Sequence, residues 1–243
     1  MRRVILPLLV ATLALAGTHA DSVCDRAEYM LFNRHLNHAW LDSSYALLGQ
    51  LHRQEPRDER GLYLWSRVHI QLGDDAASKA PKLELFGESK AIAETLLQVN
   101  GRSADAWCWW GVAQGRIGQT RGVLNSLFMV PSLKRAFGKA LERDPRHPTA
   151  LDAFGVLYYE LPGFAGGSLA KSEDYLKRGI ESDPSYTLLR LDLAKVHVRQ
   201  KRWVAARTQL NALLATRNPR YPDDTELEDK PEARQLLADI KDR

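Results

Sequence analysis

Residues 190–219 read RLDLAKVHVRQKRWVAARTQLNALLATRNP, one helical hairpin with nothing inserted. Apolar side chains recur at Leu191, Leu193, Ala194, Val196 and Val198, then at Val204, Ala206, Leu210, Leu213 and Leu214. That spacing predicts two amphipathic helices meeting near Lys201 and Arg202. Ala194 and Ala206 fall where the two helices must approach closely. A hairpin of this size cannot bury its apolar face alone, so the chain needs further copies to stack against.

Copies stand upstream. The order helix, turn, small residue, helix and then Asp-Pro recurs over residues 151–184 and 107–145, and looser versions occupy residues 28–56 and 62–101. The units begin at 28, 62, 107, 151 and 190. The first step equals a 34-residue hairpin period, and the later steps are that period plus insertions. Five hairpins are expected.

Particular residues carry a family resemblance. The third unit opens Trp107-x2-Trp110-Gly111 and closes with Phe137, Ala140 and Pro145; the fourth has Leu151, Phe154, Gly155 and Tyr158, then Leu176, Gly179 and Pro184. Ser172 fills the small-residue site, and the fifth unit supplies Leu193, Ala194, His197 and Ala206. Over about residues 25–219 the chain resembles a tetratricopeptide-repeat (TPR) protein. Gln114 and His197 depart from the family by replacing its tyrosine. The resemblance implies an all-α, right-handed α-solenoid of about five TPR-like hairpins, with residues 230–240 as a C-terminal capping helix. A narrower resemblance rests on the inserts of units two to four and on Tyr158-Tyr159-Glu160-Leu161-Pro162-Gly163-Phe164-Ala165-Gly166-Gly167. These look like the exported T-component family of tripartite ATP-independent periplasmic (TRAP) transporters.

At the start, MRRVILPLLVATLALAGTHA has two arginines, an apolar core and small residues at its end. It reads as a cleaved secretory signal over residues 1–20, leaving residues 21–243 as one helical-repeat domain in the periplasm or outside the cell. The apolar run of about 13 residues falls short of the roughly 20 that a membrane span needs. Removing Arg2 and Arg3 lowers the formal charge from +4 to +2. That balance disfavours nucleic acid as a partner. Cys24 and Cys108 would meet an oxidising compartment, where they either pair or remain as two separate thiols.

Several stretches invite a chemical reading and have a plainer one. His35 and His38 sit three apart on one predicted helical face but lack a third metal ligand nearby. Residues 115–122 are Gly-spaced without the Gly-Lys-Ser/Thr ending of a phosphate loop, and Ser168 lacks the Gly-x-Ser-x-Gly frame of a nucleophile elbow. Ser168 instead suits a helix N-cap after a stop at Leu161-Pro162-Gly163, with Phe164 tucked back. The insert at residues 76–87 reads as a loop or a broken helix. Leu124, Leu127, Phe128 and Met129 either prolong the first helix of unit three and pack on its partner, or form an apolar patch for a protein or lipid-like ligand. Acidic residues 222–229 read as solvated charge, without the glycine of an EF-type calcium loop.

No nucleophile with a base, paired carboxylates or closed metal set is legible, so no enzyme, cofactor or metal is expected. In TPR proteins the first helices of successive hairpins line a concave groove. The resemblance therefore implies a binding face at Tyr63, Arg67, Trp109, Arg116, Tyr159, Lys195 and Arg199, whose cations and rings suit a peptide carboxylate, an acidic segment or a small anion. The expected function is an exported scaffold that binds another protein. The narrower resemblance implies instead an accessory TRAP subunit, self-associating, that binds a small organic or apolar ligand and a periplasmic solute-binding protein.

Overall fold

The computed structural model describes the backbone from Leu6 to Arg243, and side chains from His19 onward except Val123. Of the predicted signal, residues 1–5, Arg2 and Arg3 included, lie outside what is described, and residues 6–18 are described by their backbone alone. Every regular element among the described residues is helical. Five antiparallel hairpins follow in order: α1 (Leu6–Phe32) with α2 (Trp40–Gln54), α3 (Glu59–Asp75) with α4 (Lys79–Val99), α5 (Ala104–Arg121) with α6 (Val123–Arg143), α7 (Pro148–Glu160) with α8 (Leu169–Ser182), and α9 (Thr187–Arg199) with α10 (Trp203–Leu214). Each helix packs chiefly on its neighbours in sequence, the signature of a solenoid.

The repeat residues explain the hairpins. A Cβ added at Gly73 would lie 2.4 Å from Phe86, at Gly111 2.5 Å from Phe137, and at Gly155 2.5 Å from Leu176. Glycine is required there because the partner helix drives a large side chain against the backbone. Small hydroxyls close the same crossings: Ser44 Oγ donates to the Ala27 carbonyl at 3.0 Å, and Ser172 Oγ to the Gly155 carbonyl at 2.7 Å. Ala194 and Ala206 are both fully buried at the fifth crossing. Side-chain N-caps at Asp58, Ser103, His147 and Ser168 begin α3, α5, α7 and α8 by satisfying amides of the first turn.

The inserts differ from expectation. Only residues 76–78 connect the helices: α3 runs on to Asp75, and α4 starts at Lys79 and takes up residues 79–87, with Pro81 in a first turn where no intrahelical N–H is needed. In unit three the first helix does not run on through the apolar stretch. It ends at Gly122, whose φ of +108° only glycine adopts easily, and residues 124–131 become the opening turns of α6. Leu127 and Met129 are half-buried there, while Leu124 and Phe128 are 72% and 85% exposed. The Gly-spaced stretch is helix rather than loop, and Gly118 lets Met129 approach to 2.8 Å of where a Cβ would stand. Phe164 does not tuck back but projects into solvent.

His35 lies in a short 3-10 turn (Arg34–Leu36) and His38 in the connection that follows, so the pair shares no helical face. Cys24 belongs to the core of the first hairpin and Cys108 to that around Phe137 and Phe154; both are buried free thiols. Burial and the neighbouring Asp58 push Cys24 up to about 12.

After α10 the chain enters α11 (Pro222–Asp224), a π-helical turn (Thr225–Asp229) and α12 (Lys230–Asp239). Helix α12 caps the open end of the stack, with Ala233 and Ile240 sealing the core of Leu191, Ala194, Ala206, Leu210 and Leu213. The acidic stretch is not a solvated run: Asp223, Thr225 and Asp229 are buried. It crosses toward the first hairpin, where Arg34 bonds Asp223 at 3.1 Å and Glu228 at 3.3 Å, and Tyr221 meets Phe32 with ring centroids 5.0 Å apart.

Candidate functional site: a closed acidic cleft on the concave face

Stacking hairpins leaves their first helices side by side, so residues at helical spacing on α3, α5, α7 and α9 turn one stripe each toward a common space. These stripes surround a cleft of about 750 Å³. Its apolar walls include Ile70, Trp109, Val156 and Leu188 from the first helices, and Leu127, Met129, Val130 and Leu133 from the extended start of α6. Asp223, Asp224, Glu228 and Asp229 of the C-terminal segment close it. The extra turns of α6 thus deepen the groove that plain repeats would leave shallow.

Of the seven predicted groove residues, Arg67, Trp109, Arg116, Tyr159 and Lys195 line this cleft. Tyr63 stands behind it, accepting a 3.2 Å hydrogen bond from Arg67 Nη1 and meeting Trp109 edge-on. Arg199 is exposed outside it, stacked 3.6 Å above the Tyr159 ring and donating to the Tyr159 carbonyl. Of the predicted apolar residues, Leu127 and Met129 form wall, whereas Leu124 and Phe128 stand outside.

The cations are engaged within the chain. Arg116 pairs with Asp74 at 3.0 Å, and Lys195 with Asp192 at 3.1 Å and Glu232 at 3.0 Å. The buried Arg67 guanidinium is held by rings, 4.1 Å from the Tyr221 centroid, 4.3 Å from Phe32 and 4.7 Å from Trp109. Such stacking stabilises a cation most when it is removed from water. This collar joins the first hairpin, α3, α5 and the C-terminal segment around one charge.

Sequence reading missed the carboxylates. Asp74, Asp152, Glu160, Asp192, Asp223, Asp224, Glu228 and Asp229 line the cleft, eight acids against the three bases Arg67, Arg116 and Lys195. The cations on which the anion-binding expectation rested are outnumbered by acids here, and Arg116 and Lys195 are paired within the chain. Asp152 and Asp192 both line the cleft, and burial, helped by the repulsion of Asp192, raises Asp152, a neighbourhood that the linear sequence did not reveal. A signal for both existed, because Asp152 shares a helical stripe with Val156 and Tyr159, and Asp192 one with Lys195.

Burial is the first cause of the electrostatics here. It raises Asp152 well above the usual carboxylate range, with Asp192 and Asp229 adding repulsion. Asp192 is raised by burial and pulled back by Lys195. Asp229 is pushed up to about 7 by burial, although Thr187 Oγ1 donates to it at 2.6 Å, and Asp224 to about 6 by burial and Asp223. Desolvation outweighs the available pairing, so the cleft raises the proton affinity of each of these carboxyls.

The fold has solved counterparts. A thermophilic TPR protein of Thermus thermophilus superimposes with a TM-score of 0.63 at 16% identity, covering 88% of this chain and 99% of that one. Pseudomonas aeruginosa pilF gives 0.52 at 14% identity, covering 92% of each chain. At such identities the likeness shows the fold, and it is the TPR solenoid. Among sequence relatives, regulator of microtubule dynamics protein 1 of Bos taurus is 27% identical over 81% of this chain and 67% of its own length, and that of Pongo abelii 23% over 96% and 76%. Residues 33–165, more than half of the chain, match the family described as regulator of microtubule dynamics protein 1-3, and the chain belongs to that family.

Proposed function

We propose that this protein is a non-catalytic scaffold that binds a segment of another protein in its concave cleft, and that it acts after export, with residues 1–20 removed. The observation that carries the reading is the cleft itself, about 750 Å³ and walled by four successive first helices and the start of α6. Largely preformed concave sites with apolar walls and a few convergent polar groups are where binding concentrates. The relatives are named for regulation of microtubule dynamics, and binding another protein is the part of such a role that this cleft supports. Export is supported by the order of the leader. Of the core of the first hairpin, Cys24, Ala27 and Leu31 follow the expected cut and Ala20 precedes it.

A second reading, an accessory TRAP subunit that holds a small organic or apolar ligand beside a solute-binding protein, draws support from the wall that the α6 insert adds to the cleft. One experiment separates the readings. A photo-crosslinking residue is placed at Val156 or Val130 inside the cleft and at Val204 on the outer surface, and the adducts and the protein's own N-terminus are read by mass spectrometry. The scaffold reading expects protein adducts from the cleft positions alone and an N-terminus at or near Asp21. A solute-binding protein as the sole adduct would favour the second reading. Identical adducts from Val204, or a chain still beginning at Met1, would overturn the corresponding half of the proposal.

A further inference from the structure

The cleft holds more carboxyl groups than its own bases can pair, and two buried carboxyl oxygens that line it, Asp152 Oδ1 and Asp223 Oδ1, have nothing to bond. Asp152 is only 7% exposed, faces the cleft, and its Oδ1 has no hydrogen-bond partner. A buried acceptor left unmatched costs free energy that a donor entering the cleft would recover. Lys195 is already occupied by Asp192 and Glu232. Arg67 is immobilised by its ring collar, and Arg116 by Asp74. No base of the cleft remains for Asp152 and Asp229.

The shape of the space says what kind of donor fits. Met129, Val130, Val156 and Leu157 line the cleft half-buried, and Asp152 and Asp229 line it more deeply buried. A long side chain with an apolar stem and a cationic end matches that order, as lysine and arginine do. A metal ion does not, because among the described residues no group of three or more His, Cys, Asp or Glu is arranged to hold one.

Building on the protein-binding reading above, we propose that Asp152, Asp192 and Asp229 form a receptor for one Lys or Arg side chain carried on an otherwise apolar segment of the partner. This makes specificity the opposite of what the groove cations alone suggested. The partner is selected by a base among apolar residues, and acidic segments are rejected by like charge.

The test is selection of a phage-displayed random dodecapeptide library on the full chain, in parallel on wild type, Asp152→Asn and Val156→Trp, the last of which fills the cleft. Peptides that wild type enriches and Val156→Trp does not are expected to share one Lys or Arg flanked by apolar residues, and Asp152→Asn should lose that base while keeping the apolar flanks. In a synthetic copy of the best peptide, replacing the base with norleucine should weaken binding to wild type by roughly 30-fold or more, the low end for a desolvated charge contact, and to Asp152→Asn by less than about threefold. Circular dichroism and an unchanged or higher melting point certify that Asp152→Asn is folded. Enriched peptides that are apolar without a base would overturn this inference and leave the protein-binding reading standing. No enrichment over Val156→Trp would overturn both. If n-octylammonium binds as tightly as the best peptide, the site takes a free amine and the partner-segment inference is wrong.

Discussion

Replacing Gly155 with alanine tests the repeat packing at its tightest point. The added Cβ would stand 2.5 Å from Leu176 Cγ and 2.6 Å from its Cδ2, distances real Cβ atoms essentially never show. Leu176 is fully buried, so it cannot swing into solvent, and the backbone beside it is fixed by the 2.7 Å bond from Ser172 to the Gly155 carbonyl. Forcing a methyl into such a crossing costs about 1–3 kcal/mol, against which alanine returns about 1 kcal/mol of helix propensity. Gly138 provides the control, since it lies inside α6 and a Cβ there meets nothing within 4 Å. Gly138→Ala should therefore gain about 0.5–1 kcal/mol, leaving the two variants about 1–3 kcal/mol apart. In a chain of this size that corresponds to roughly 3–10 °C in melting point, measured by circular dichroism or calorimetry. A double variant with Leu176→Ala should be less destabilised than the sum of its parts, because the smaller side chain leaves room for the methyl. Equal melting points for Gly155→Ala and Gly138→Ala, with additive behaviour in the double variant, would refute the argument that helix approach dictates glycine at 155.

Two further outcomes concern the C-terminal segment. Asp229 holds its proton up to about 7, whereas an unfolded aspartate releases it near 4. The folded chain therefore binds the extra proton between those values, and this group's contribution is fully present at low pH and drains away as pH rises toward 7. Asp229→Asn, whose amide oxygen can still accept from Thr187, should gain about 1–3 kcal/mol over wild type between pH 5 and pH 8 in denaturant unfolding, and a difference independent of pH would contradict the buried-charge account. Arg34, with its side chain 11% exposed and bonded to Asp75, Asp223 and Glu228, fastens that segment to the first hairpin. Arg34→Ala should cost about 2–4 kcal/mol by stranding the buried Asp223, and should speed tryptic cleavage after Arg220 while the cap on α9 and α10 stays folded; cleavage at the wild-type rate would show that the fastening is not there.

The sequence by itself determined the stack. Helical periodicity and small residues at crossings are local constraints, and each hairpin buries one face against the next, so the five units, the crossing residues at Gly155, Ser172, Ala194 and Ala206, and the cap after residue 229 were legible in order. First-helix positions Arg67, Trp109, Arg116, Tyr159 and Lys195 also came out together, because solenoid geometry turns one stripe of each first helix inward. Tertiary structure alone decided the character of the cleft. Arg34 and Asp223 are 189 residues apart in sequence, and no periodicity links them. Only when the solenoid curves far enough for its last segment to reach its first hairpin do residues 222–229 leave water and line the cleft beside Asp152 and Asp192. Charge read along a chain counts residues, whereas charge in a cleft depends on which partners desolvation brings together; Arg116 and Lys195, which suggested an anion site, are paired within the chain there, and carboxyls outnumber bases around the space.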